Sequence, residues 1–66
     1  MRIKLNNQVK FLTESITVQQ LMDLTVSQQS GVAIAVNNVI VQKASWQSHQ
    51  LNEEDDVLII KATQGG

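Results

Sequence analysis

The stretch Ile16-Thr17-Val18-Gln19-Gln20-Leu21-Met22 decides how the rest of the chain is read. Thr17 and Gln20 stand at capping-box spacing, in which the threonine hydroxyl accepts from the Gln20 backbone N–H and the Gln20 side chain reaches back to the Thr17 amide. Ile16 before the cap and Leu21 five residues on have the spacing of a hydrophobic staple. Val18, Leu21 and Met22 share one helical face, with Leu24 at its edge. Val26 to Ser30 lacks a matching pattern, so the spacing predicts one helix that starts after Thr17 and ends near Thr25.

Outward from this helix the period changes from 3.6 to 2. Upstream, Met1-Arg2-Ile3-Lys4-Leu5 alternates apolar and basic, the signature of a strand with one buried face. Asn6-Asn7 follows, and asparagine tolerates the left-handed backbone of a tight hairpin turn. Gln8 to Leu12 then reads as the returning strand, with Val9 and Phe11 on one face. Downstream, Gly31 is the only internal glycine and turns the chain into Val32-Ala33-Ile34-Ala35-Val36, a continuously apolar strand covered on much of both faces. Asn37-Asn38 makes a second turn and Val39-Ile40-Val41 a second returning strand. Lys43 to Trp46 forms a short helical turn, and a polar, acidic loop from Asn52 to Asp56 leads to a last strand, Val57 to Ala62. The order ββαββ plus one strand predicts an α+β fold: a mixed four- or five-stranded sheet packed on one helix that crosses between the two hairpins.

Size and composition limit what such a fold can do. Sixty-six residues make one small domain, and one of this size buries only about 60% of its unfolded surface. The chain has no cysteine and a single histidine, His49, which excludes a disulfide framework and leaves a structural metal short of ligands. A net charge of −1, with Phe11 and Trp46 as the only aromatics, argues against nucleic-acid binding. Apolar runs are too short to span a bilayer, and the amino end lacks the layout of a signal peptide, so a cytoplasmic protein, monomeric when alone, is expected.

Few residues carry chemistry. His49 has no nucleophile in a strained elbow sequence beside it and reads as a surface residue. Trp46 reads as a lid on the core. Glu53-Glu54-Asp55-Asp56 lacks the spacing and glycine of a calcium loop and reads as a solvated turn. No glycine-rich phosphate loop is present, so ATP binding by this chain alone is not expected. What stands out is Gly65-Gly66 at the end, two of only three glycines, placed after an apolar strand and a short polar spacer. An α-carboxylate there is ionised at neutral pH and is an oxygen nucleophile. Glycine has no Cβ, so Gly65 and Gly66 enter a channel that a bulkier residue would block. Residues 62–66 are expected to form a flexible arm; Thr63 to Gly66, extended, reaches about 13 Å. That is long enough to place the carboxylate in another protein's active site.

These residues together resemble the sulfur carrier proteins of thiamine biosynthesis, within the ubiquitin-like β-grasp group. The likeness covers most of the chain: the first strand ending in Asn6, Thr17-Val18-Gln19-Gln20-Leu21, Ala35-Val36-Asn37, Val41, Trp46, Leu51, the acidic turn, Val57–Ile60 and Gly-Gly. The related molybdopterin-synthase small subunit usually has prolines before its Gly-Gly, and this chain has none. Two departures are visible. Glu54-Asp55 stands where the family often has Gly-Asp, which implies a changed or modestly strained turn, and Gln42 stands where proline is common.

The resemblance implies a protein co-substrate that is not itself an enzyme. An E1-like partner spends ATP to adenylate the Gly66 carboxylate, sulfur from a persulfide donor displaces AMP to give a thiocarboxylate, and thiazole synthase takes the sulfur. Gly65, Gln64 and Thr63 are the arm that enters the partner's active site. A carrier serving molybdopterin or tRNA thiolation, or a ubiquitin-like protein modifier, are the alternatives. For docking, strand parity suggests a patch: with Met1, Ile3 and Leu5 toward the helix, Arg2 and Lys4 face outward. Taking Lys61 as outward-facing then adds Val57 and Ile59 to that exposed side; the alternative register puts both in the core.

Overall fold

The computed structural model describes residues 1–61, so the end of the last strand at Ala62 and the arm residues Thr63, Gln64, Gly65 and Gly66 lie outside the described residues. Five strands and one helix form the β-grasp arrangement expected from the sequence. In chain order they are β1 (Arg2–Leu5), β2 (Gln8–Phe11), α1 (Val18–Thr25), β3 (Val32–Val36), β4 (Val39–Ile40) and β5 (Asp56–Lys61), with a short 3-10 turn at Lys43–Ser45. Lateral order in the sheet is β2-β1-β5-β3-β4. β5, last of the described strands in chain order, therefore lies in the middle. It runs parallel to β1 through Lys4↔Asp56 and Leu5↔Val57, and antiparallel to β3 from Val32↔Lys61 to Val36↔Val57. Each hairpin contributes one inner strand and one edge strand, and β5 joins the two.

The helix begins as its sequence dictates. The Thr17 side chain accepts from Gln20 N, and the Gln20 side chain accepts from Thr17 N at 2.8 Å. Val18, Leu21 and Met22 are buried against the sheet, and Ile16 packs on the same core. Leu24, read at the edge of that face, lies instead on the exposed side, because the eight-residue helix meets the sheet along a single narrow stripe. Ile3, Leu5, Ile34, Val36 and Val57 form the sheet's half of the core; Val41, Trp46 and Leu51 close it from the long loop. Trp46 is more than a lid: it is fully buried, and its indole N–H donates to the Val41 carbonyl at 2.9 Å. Burying side chains of this size contributes about 1.5–3 kcal/mol each, so a core of a dozen can hold a domain without disulfides.

Both asparagine pairs turn as expected, with φ of 50° and 67° at Asn6 and Asn7 and 52° and 69° at Asn37 and Asn38. Gly31 also has positive φ. Glu54 does so at 69° without being glycine, the strained position that its departure from the family pattern implied. Its carboxylate accepts two hydrogen bonds from the Arg2 guanidinium, of 2.9 and 2.8 Å, and its N–H donates to the Arg2 carbonyl at 2.7 Å.

Candidate functional site

The strand that leads toward the carboxyl end is held by side chains as well as by its two neighbours in the sheet. At its start, Asp55 is buried, accepting from the Asn37 side chain at 2.9 Å and from Asn52 N at 2.7 Å. Asn37 Oδ1 in turn accepts from Asp56 N. Further along, Asn6 Oδ1 accepts from Ile59 N at 2.8 Å. The first asparagine of each hairpin turn thus shapes its own turn and also clamps β5. Asparagine suits this double use because it tolerates the left-handed backbone and keeps a side-chain amide free to bridge. The clamps fix the register of β5, and in a strand register decides which side chains reach which face.

That register corrects the expected docking patch. Val57 is fully buried and Ile59 packs half-buried on the core. Val57 pairs with Leu5 on one side and Val36 on the other, both of which face the helix, so Val57, Ile59 and Lys61 share the helix side. Lys61 misleads as a guide to parity because it stands at the strand's end, beyond the helix, where even a core-side position is exposed. The open face of the sheet carries the alternate residues. Leu58 (44% exposed) and Ile60 (45%) lie beside Ala33, Ala35 and Ile40, and across Arg2 and Lys4 stand Val9 and Phe11, the latter 79% exposed. Arg2 and Lys4 face outward as expected. The outward-facing Leu58 and Ile60 escaped the sequence reading, since Val57-Leu58-Ile59-Ile60 is apolar at every position and offers no alternation to orient it. The signal that could have oriented it was the pairing of the run with the alternating first strand.

The acidic loop before β5 is engaged by its own chain. Glu53 accepts from Arg2 N at 2.7 Å, Glu54 pairs with the Arg2 guanidinium, and Asp55 is satisfied inside. The hydrogen bond and charge of Arg2 hold the Glu54 carboxyl below its ordinary pKa, and Glu54 raises that of Arg2 in return. Among the described residues no cluster of three or more histidine, cysteine or carboxylate groups could hold a metal. Nor is any described helix long and apolar enough to cross a membrane. His49 is half-buried and contributes its carbonyl to the Val18 N–H at 2.9 Å, an architectural contact at the start of the helix.

Comparison with known proteins agrees with the fold. The model of the ThiS family matches residues 3–66. A curated relative, the sulfur carrier protein ThiS of Escherichia coli (strain K12), is 30% identical over 66 residues, covering 100% of both chains. A crystal structure of the thiamine biosynthesis protein ThiS from Geobacter metallireducens superposes with a TM-score of 0.88 at 22% identity, again over 100% of each chain. A solution structure of a thiamine biosynthesis protein from the same organism gives 0.80 at 22% identity, covering 100% of this chain and 88% of that one.

Proposed function

The chain belongs to the ThiS family of sulfur carriers of thiamine biosynthesis, and from that premise we propose that its working group is the Gly66 carboxylate, loaded with sulfur and unloaded by partner enzymes. The observation that carries this reading is that the family match runs through Gly65-Gly66. A carboxylate oxygen of Gly66 attacks the α-phosphorus of ATP on an E1-like enzyme, and pyrophosphate leaves. The terminal sulfur of a persulfide donor then attacks the acyl carbon and AMP departs. A thiol cleaves the resulting acyl disulfide by exchange, leaving the thiocarboxylate on Gly66 and a disulfide on the donor side. Thiazole synthase accepts the sulfur. The chain supplies no catalytic group to these steps; it presents an unbranched end on an arm of Thr63, Gln64 and Gly65.

The open sheet face is the surface on which a partner docks. Leu58, Ile60 and Ile40 stand on one side of Arg2 and Lys4 and Phe11 on the other, an apolar area crossed by charge on a sheet face that no described element covers. Two enzymes that must each receive the arm need a rigid surface against which to aim it, and the clamps on β5 supply that rigidity.

Incubation of the chain with the adenylating enzyme, ATP and a persulfide donor should produce a mass gain equal to one oxygen exchanged for sulfur, localised to Gly66. Deleting Gly66 should abolish adenylation and leave the unfolding midpoint unchanged, because no core residue is lost; retained adenylation would overturn the assignment. Supplying the thiocarboxylate form to thiazole synthase separates this acceptor from other sulfur acceptors.

A further inference from the structure

A groove of about 540 Å³ opens on the helix side of the sheet, where β1 turns away from β5. One wall is the first hairpin, through Leu5, Asn6, Gln8 and Lys10; the other is the end of β5, through Ile59 and Lys61; Thr25 and Val26 close the back. The backbone along this groove has a free edge. β1 contributes only Lys4 and Leu5 to its ladder with β5, and then turns at Asn6. Val57's carbonyl accepts from Asn6 N and Ile59's N–H donates to the Asn6 side chain, so this edge of β5 points toward β1. Every second residue of a strand points its N–H and C=O the same way. The Ile59 carbonyl and the Lys61 N–H therefore point into the space β1 has vacated, and among the described residues no strand pairs with β5 there. Lys10 and Lys61 flank the opening, and among the described residues no carboxylate lines it.

We propose that this groove receives a short, extended, acidic segment of the adenylating enzyme, which adds as a strand to the free edge of β5 at Ile59–Lys61. The backbone edge supplies direction, the apolar floor of Leu5, Val26 and Ile59 takes alternate side chains, and the two lysines select a segment bearing carboxylates. Such an added strand grips β5 immediately before the arm and fixes the line along which Gly66 travels. The inference rests on the carrier reading above, but its test separates the two.

Amide hydrogen exchange of the isotope-labelled full chain, free and with the purified adenylating enzyme and ATP, reads the edge directly. Lys61 N–H exchange should slow by at least about tenfold in the complex, whereas Ile59 N–H, already held by Asn6, should change little. Charge reversal at both positions, Lys10→Glu with Lys61→Glu, should weaken the complex by about tenfold or more at low salt, and Lys→Arg at both should leave it within about twofold. If Gly66 is adenylated while Lys61 exchanges as fast as in the free chain, the strand is refuted and the carrier reading stands. Lys61 protection that needs no enzyme also refutes it: if concentration-dependent, a second copy fills the groove, and if not, the chain's own end does. Absence of any complex overturns both.

Discussion

Ile34 and Ile60 are the same side chain on adjacent strands of one sheet, yet Ile34 is 0% exposed and Ile60 is 45% exposed. The first faces the helix and the second faces outward. Nothing in residue type separates them; register alone does. The difference teaches that the apolar content of this sheet is divided, one face closing the core and the other left exposed, and that the asparagine clamps on β5 keep the two sets apart.

The strongest way to probe this contrast is to truncate both isoleucines. Ile34→Ala should cost about 2–5 kcal/mol in chemical denaturation, the range for emptying a packed core site. Ile60→Ala should cost about 0.5 kcal/mol, as for a surface change. Equal losses would mean that the open face is part of the core. Next in size, the register lock itself can be removed. Asn37→Gly keeps the positive-φ turn but deprives buried Asp55 and the Asp56 N–H of their partner, and should destabilise by about 1–3 kcal/mol. Smaller again, Ile60→Asp should leave the unfolding midpoint nearly unchanged and weaken docking of the adenylating enzyme by about tenfold, equivalent to about 1.4 kcal/mol. Unchanged binding would remove the open face from the docking surface.

The smallest effect concerns the Arg2–Glu54 pair on the rim of that face. Glu54 has a lowered pKa in the folded chain, so its contribution is present above its ordinary carboxyl value. That contribution falls as pH drops through the lowered folded value. Asp23, held low by the Gln29 and Gln19 side chains, follows the same sign. Arg2 is raised from an already strongly basic value, so its stabilisation is present below that value and is lost only in strong alkali. Acid titration of the unfolding midpoint should show a slight decline below about pH 4.5 that Glu54→Gln reduces, and salt should weaken the pair because both partners are exposed.

Much of this fold was legible because its signals are local. Thr17 and Gln20 mark the helix start, and each Asn-Asn pair its own hairpin, from a few residues that touch one another. The parity of β5 was not legible. It depends on pairing with β1, fifty residues away in sequence, and the run Val57–Ile60 satisfies either orientation. Lys61, a charged residue past the reach of the helix, pointed the wrong way. The clamps by Asn6 and Asn37 were hidden for a similar reason: an asparagine that completes a turn gives no sign that its amide also holds a distant strand. Gly65 and Gly66, by contrast, stood out by composition and position.

The central place of β5 has a consequence for how the molecule is made. Within the sheet, among the described residues, the two hairpins share no neighbour except this strand, so a chain cut short before Asp56 leaves them as separate pairs, and an isolated hairpin is marginal in water. Joining the two pairs into one sheet therefore depends on Asp56–Lys61. A chain that lacks this strand is expected to stay open to proteolysis, so the step that completes the fold is the one that sets the strand leading to Gly65-Gly66.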